Sequence, residues 1–406
     1  MAQLETPSPK TRLVSLDALR GFDMFWILGA DVIGQNLGRV TQFRPLTFFA
    51  RQLEHKDWAG FASYDLIFPL FVFTVGVSLV FSITQIVTRE SRSAAVKRII
   101  RRAIVLFLLG IFYNGGLTHP WPEVRLVGVL QRISLAYLAA GLLFLYFKPR
   151  VLAAIGVALL VGYWALLAYV PIRDFSLEPT SVAARLGHPN ASRPEVRAAF
   201  EATTTYVTGR FEPGLNLTNH LDFQYLPGSF YDTYYDPEGF LSTFPAIVTC
   251  LGGVFAGLLL RRSDLSSERK VGLLVGAGVI AVALGWAWHP FFPVIKKIWS
   301  SSFVLVAGGW SLLLLAAFYY VVDVKRRQRW CVPFIWIGMN PITLYLVSSF
   351  LDFHGVAERF AGGSVTLWFD RHLTAGAGGL VVTAAALGLV FALAAFLYRK
   401  KIFLRV

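Results

Sequence analysis

The chain has 406 residues, 55% of them hydrophobic and only 15% charged, with a net charge of +14 and a mean hydropathy of +0.57. Soluble domains carry about 25% charged residues, and apolar runs of roughly 20 residues, each able to cross a bilayer, recur here, which excludes the soluble multidomain arrangement that length alone would suggest. The positive charge fits the Lys- and Arg-rich cytoplasmic loops of a membrane protein rather than a nucleic-acid surface, and Cys250 and Cys331, far apart in apolar segments, read as packing residues rather than a disulfide or metal site.

Met1 to Thr11 is polar and shows no cleavable signal pattern. The first apolar stretch follows it, and ten spans are predicted in order: 13–37, 60–86, 99–116, 124–147, 151–171, 240–260, 271–289, 301–322, 331–350 and 376–398. The fold class is therefore all-α, a single polytopic domain over 1–406. If every span crosses once, alternate connections are basic. They hold Arg89, Arg92, Lys97, Arg98, Arg101 and Arg102, then Lys148 and Arg150, then Arg261, Arg262, Arg269 and Lys270, then Lys325, Arg326, Arg327 and Arg329. Lys10 and Arg12, and the tail residues Arg399, Lys400, Lys401 and Arg405, fall on the same side. The positive-inside rule makes that side, and both termini, cytoplasmic. On the other side, the connection 172–239 is long, net acidic and rich in Tyr, Asn and Pro. Its aromatic content argues against disorder and predicts a small lid, suited either to stacking on sugar rings or to an interfacial aromatic belt.

Polar residues inside apolar spans are expensive, roughly 2.5–3.5 kcal/mol for a charge at the membrane centre, and need a partner or a polar cavity. Five groups stand out. Asp17 and Arg20 open the first span three residues apart, on one helix face, with Asp23 and Asp31 beyond them: either an ion pair at the inner interface or part of a channel lining. His55 lies at a membrane boundary with Glu54, Asp57 and Asp65 near it. An imidazole there can act as base or nucleophile, and a carboxylate can orient it, although a surface histidine fits the same spacing. Arg125, Gln131 and Arg132 enter the fourth span and suit a phosphate or carboxylate, or pairing with Asp17, Asp23 or Asp31. Asp236 and Glu238 precede the sixth span, where they either cap its positive end or hold an amine or sugar hydroxyls. Asn340, before Pro341 in the ninth span, either patches the break in the helical ladder or meets a ligand.

No Walker loop, dinucleotide fingerprint, HExxH or CxxC occurs. His119, His188, His220, His289, His354 and His372 are too scattered for a metal site, so none is expected. The absence of a clear internal repeat counts against a sugar transporter, the competing reading.

In this order the motifs resemble the heparan-α-glucosaminide N-acetyltransferase family and its bacterial relatives, over nearly the whole chain. The resemblance is carried by Leu16-Asp17-Ala18-Leu19-Arg20-Gly21, His55-x-x-Trp58-x-Gly60, Asp65-Leu66-Ile67-Phe68-Pro69, Gly128-Val129-Leu130-Gln131-Arg132, Asp236-Pro237-Glu238-Gly239, Val321-Val322-Asp323-Val324 and Gly338-Met339-Asn340. It implies transfer of an acetyl group from cytosolic acetyl-CoA, as co-substrate, to the amine of a glucosamine-type sugar on the periplasmic face of a bacterial inner membrane. It also implies that His55 is the active-site histidine, either as base in a ternary complex or as carrier of the acetyl group. On that reading Asp57 or Asp65 orients His55. Arg20, Gln131, Arg132 and Asn340 line the path of the CoA chain, and Trp58, Asp236 and Glu238 hold the acceptor. The partners are the bilayer and the small-molecule sugar, with the oligomeric state open, a homodimer included. The large loop departs from the family's pattern, so heparan itself is not taken as the acceptor.

Overall fold

The computed structural model describes residues 13–40, 43–118 and 120–403; Lys10, Arg12, His119 and Arg405, named above, lie outside them. Each of the ten apolar segments is helical. The first is broken: α1 (Val14–Phe25) and α2 (Asp31–Val40) are separated by a π-helical turn, Trp26–Ala30, in which Gly29 takes φ 117°. A short helix, α3 (Arg44–Gln52), leads to the loop of His55. The hairpin α4 (Ile67–Arg89) and α5 (Arg92–Tyr113) follows, then α6 (Val129–Tyr146) and α7 (Pro149–Tyr169). Among the described residues seven helices are long and apolar enough to cross a membrane, and a pair bent by 67° supplies an eighth if counted as one span. The other two of the ten differ for visible reasons: the π turn interrupts the first, and α5 begins on Arg92, Lys97, Arg98, Arg101 and Arg102.

Between α7 and the next long helix, 172–239 folds on its own small core. A two-residue antiparallel ladder, β1 (Ile172–Arg173) with β2 (Tyr206–Val207), pairs Ile172 with Val207 and Arg173 with Tyr206. Helices α8 (Pro179–Leu186), α9 (Arg193–Ala202) and α10 (Leu217–Tyr225) surround buried Phe175, Val196, Phe200, Phe223, Tyr234 and Tyr235. His220 is part of this packing: Nε2 lies 3.0 Å from the Phe175 carbonyl and 3.1 Å from that of Gly214, and burial lowers it to about 4, so it is a neutral donor.

The chain then runs through α11 (Thr243–Arg261), α12 (Ser267–Trp288) and α13 (Ser301–Phe318), which continues as a π-helical segment to Val324. The bent pair α14 (Val332–Gly338) and α15 (Pro341–Phe350), the short α16 (Phe353–Ala361) and α17 (Ser364–His372), and α18 (Ala377–Arg399) complete it. Pro341 marks the bend because it cannot continue the preceding ladder. Helix α4 is the hub, with α11, α6 and α13 on it. It meets α11 through glycines: a Cβ on Gly76 would collide with the Cys250 carbonyl, and one on Gly253 with that of Phe73. Small residues permit such backbone approach in membrane helices. Ser15 at the start of α1 hydrogen-bonds Asp323 through its hydroxyl, so the first and the Val-Val-Asp-Val motifs meet. The helix directions gather the basic connections at the end of the bundle away from 172–239.

Candidate active site

His55 sits on the loop before α4, at the end of the bundle that bears 172–239. The loop turns at Gly60 (φ 117°), whose N–H donates to the Val294 carbonyl at 2.8 Å, and Ala59 bridges to Ile295. A 3₁₀ turn, Ser63–Leu66, then carries Asp65 into the protein. Asp65 is fully buried; its Oδ1 lies 2.8 Å from His55 Nδ1, and its Oδ2 accepts from the Ala62 N–H at 3.0 Å and the Lys56 N–H at 3.4 Å. An ionised carboxylate only accepts, so Nδ1 carries a proton; in the neutral imidazole the lone pair is then on Nε2. The imidazole, 49% exposed, packs on Tyr64 with ring centroids 4.5 Å apart.

The imidazole opens on a cavity of about 400 Å³, lined at its polar end by His55, Arg125, Arg132, Glu238, Lys296 and Lys297, and deeper by apolar groups such as Met24, Ile27, Phe71 and Ile342. A volume of this order suits a small ligand. Lys296 Nζ lies 3.0 and 3.1 Å from the two ring nitrogens of His55 and 3.7 Å from Asp65 Oδ1. Burial pushes the Lys296 amine down to about 8, with Asp65 opposing the shift. Lys297 pairs with Asp232 at 3.0 Å.

The opposite wall is an arginine–carboxylate lattice. Arg125 binds Asp236 through Nε and Nη2, both at 2.8 Å, and reaches Glu238 at 2.9 Å. Asp236 also accepts the Tyr231 and Glu238 N–H groups at 3.0 and 2.9 Å. Burial raises the Glu238 carboxyl, and Asp236 adds to the rise. Arg132, buried in the first turn of α6, donates to the Pro237 carbonyl at 2.8 Å and to Ser242, and its guanidinium lies over Trp299, 4.9 Å from the ring centroid. Its Nε and Nη1 have no protein partner. Two buried, unpaired donors on a cavity wall suit an anionic or carbonyl-bearing guest.

Of the residues singled out from the sequence, the cavity brings together His55, Arg125, Arg132 and Glu238, with Asp65 behind the imidazole. Asp57 is exposed and does not line it; of the two carboxylates considered, Asp65 holds the ring. Trp58 faces the lid instead, its Nε1 donating to the Phe211 carbonyl at 2.7 Å. Asp236 fixes Arg125 and does not cap α11, whose N-cap is Ser242. Arg125 and Arg132 make these contacts rather than pairing with Asp17, Asp23 or Asp31. Arg20 pairs with Asp17, as their spacing suggests. Neither it, Gln131 nor Asn340 lines the cavity. Gln131 is buried with both amide atoms unpaired, and Asn340 donates to the Ile402 carbonyl at 2.9 Å, which ties the tail to the bend. The sequence reading missed Tyr64, Trp299, Lys296 and Lys297. Two lysines in the short connection 290–300, opposite the basic side, were the available signal for the last pair. Among the described residues no group of three or more His, Cys, Asp or Glu could hold a metal ion.

Fold and site define a polytopic helical membrane protein with a carboxylate-held imidazole on a half-open cavity. Residues 12–179 match the family described as "Heparan-alpha-glucosaminide N-acetyltransferase, catalytic", the family the motifs resemble. The Homo sapiens protein named Heparan-alpha-glucosaminide N-acetyltransferase is 28% identical across 97% of this chain, and that of Mus musculus 27% across 98%. The chain spans 60% and 62% of their respective lengths. His55, Asp65, Arg125 and Arg132 fall within the matched residues 12–179; Glu238, Lys296 and Asn340 lie beyond them.

Proposed function

We propose that this protein is a transmembrane acetyltransferase that takes an acetyl group from cytosolic acetyl-CoA and delivers it to the amine of a glucosamine-type sugar on the far side of a bacterial inner membrane. The observation that carries the reading is the His55–Asp65 pair: an imidazole with a free Nε2 lone pair, facing a 400 Å³ cavity at the end of the bundle away from the basic connections. By the positive-inside rule that end is extracytoplasmic. His55 removes the proton of the acceptor amine or carries the acetyl group itself. Asp65 fixes its tautomer, and Glu238 holds the acceptor at the mouth with Arg125 and Asp236 behind it.

The donor's charged end belongs with Arg20 and the arginines of the opposite end, where a basic surface draws in a polyanion. Arg132, with its spare donors, meets the acetyl-bearing end. In the conformation described, the cavity lining does not reach Arg20, Gln131 or Asn340, so the transfer requires a second conformation in which the passage lengthens. The unpaired carboxamide of Gln131, between α5 and α6, lies where such an opening would find hydrogen-bonding groups.

The test supplies labelled acetyl-CoA to membranes containing the protein and follows acetylation of glucosamine-type amines, with His55→Ala alongside. Transfer by the wild type and its loss in His55→Ala is expected. Wild-type turnover surviving in the variant removes His55 as the centre. No transfer to any amino sugar removes the activity, and a transporter, identified by sugar counterflow without CoA, takes its place.

A further inference from the structure

Lys296 is placed on the imidazole but is not used up by it. Its Nζ is almost equally far from Nδ1 and Nε2, 3.0 and 3.1 Å. In the plane of the ring, those two distances would drive it into the carbon between the nitrogens. It therefore lies over the ring face, in line with neither nitrogen. Nδ1 is already engaged by Asp65, and the 3.7 Å to Asp65 Oδ1 is an ion-pair separation, longer than a hydrogen bond. Lys296 lines the cavity, so its N–H donors remain for what enters there. Of the neighbouring cations, Lys297 is committed to Asp232, Arg125 to Asp236 and Glu238, and Arg132 Nη2 to Pro237 and Ser242, while none but Lys296 lies against the ring of His55. The backbone around Lys296 is pinned by the Gly60–Val294 hydrogen bond, by the Trp299 N–H donating to the Lys296 carbonyl at 2.9 Å, and by the Ile295 N–H donating to Ser300 Oγ at 3.0 Å. A positioned donor of this kind, with a side chain 22% exposed, stabilises charge developing in a transition state more than charge in the ground state.

We propose that Lys296 is a catalytic donor to the oxyanion that forms when the acetyl carbonyl is attacked beside His55 Nε2, an inference that rests on the acetyl-transfer reading above. As the acceptor nitrogen forms the new C–N bond, the carbonyl π pair moves to oxygen and Nζ–H donates to it. Collapse of the adduct breaks the C–S bond. The sulfur leaves as thiolate and takes the proton that Nε2 removed from the amine. If the acetyl group first rides on His55, the carbonyl sits one bond from Nε2, still within reach of Nζ.

Only the ammonium form donates strongly, and it is lost as pH rises through about 8. The groups facing it are His55, Lys56, Tyr64 and Asp65 from the loop before α4, and Tyr231 and Glu238 from the segment before α11. Lys297 stands beside it, with Arg125 and Arg132 across the cavity.

The experiment measures kcat and KM against pH for the full chain in membranes, with acetyl-CoA and the amino sugar, for wild type, Lys296→Met and Lys296→Arg. We expect Lys296→Met to lose roughly 10²–10³-fold in kcat, with the sugar KM changed less than about threefold. Lys296→Arg, whose guanidinium keeps its charge, should recover part of the loss and hold its kcat beyond pH 8, where the wild type declines. Wild-type kcat in Lys296→Met overturns the proposal. So does a loss common to both variants with no difference in the alkaline limb. If Lys296→Met does not accumulate, the limb of Lys296→Arg decides alone, and a limb matching the wild type is the refutation. Absence of transfer by the wild type fells the activity and this role together, a result distinct from losses confined to the variants.

Discussion

Replacing Asp65 by Asn should silence His55 through its tautomer, with the site's shape intact. The carboxylate accepts three hydrogen bonds: from His55 Nδ1–H through Oδ1, and from the N–H groups of Ala62 and Lys56 through Oδ2. An asparagine has one accepting oxygen and one donating NH₂. If the oxygen stays with the two backbone donors, the NH₂ faces Nδ1 and donates to it, which moves the ring proton to Nε2 and closes the lone pair on the cavity side. The flipped amide rescues the productive tautomer but points NH₂ at two N–H groups. At about 1 kcal/mol net per hydrogen bond, the flip is worse by two bonds, or roughly 30-fold in population. Loss of the charge-assisted bond to the transition-state imidazolium adds about 1.5–3 kcal/mol, roughly 10- to 150-fold. The combined expectation is a fall of about 300- to 5,000-fold in kcat, with the sugar KM little changed, read by labelled acetyl transfer normalised to folded protein. Asp65→Asn within about threefold of wild-type kcat would refute the tautomer argument.

Three further outcomes follow from other parts of the molecule. Burial raises Asp222, in α10, to about 8, so the folded protein holds a proton there that an unfolded chain, with an ordinary aspartate near 3.8, has released; stability therefore falls as pH rises between these values, by up to about 1.4 kcal/mol per unit. Asp222→Asn, which keeps the oxygen that accepts from the Phe240 N–H, should raise the thermal midpoint at pH 8 and leave it nearly unchanged below pH 4, as read by scanning fluorimetry. Arg125→Met leaves buried Asp236 without its cation, at a cost of about 3–5 kcal/mol, and should loosen 172–239 enough for trypsin to cut at Arg193 or Arg197 before it cuts the bundle. Gly76→Val drives a side chain into the Cys250 carbonyl and should cost about 1–3 kcal/mol or more, seen as loss of folded protein on gel filtration in detergent, whereas Gly162→Val, which meets nothing, should be silent.

What the sequence disclosed depended on the range of the signal. Hydropathy placed all ten apolar segments, since a helix and the bilayer are both read within 20 residues. It could not register the π turn at Gly29 or the arginine-laden start of α5. His55 and Asp65 were nominated because they lie ten positions apart on one boundary. Arg125 and Arg132 were recognised as needing partners, but those offered, the aspartates of the first span, were neighbours in a pattern and not in space. Their actual counterparts, Asp236, Pro237, Ser242 and Trp299, stand more than a hundred residues away. Lys296, flagged only by lying in a short connection opposite the basic side, could not be tied to His55 for the same reason. Its meaning comes from lying across a backbone bridge from a loop 241 positions earlier.

That bridge also sets a timetable. The strip from Gly60 to Val294 joins the second apolar segment to the connection after the seventh, so a ribosome that has released only the first half of the chain has delivered an imidazole and its carboxylate without their lysine. On the mechanism proposed above, the donor to the oxyanion is therefore missing until most of the protein is in the bilayer, and an unfinished or truncated copy holds the histidine and its carboxylate alone.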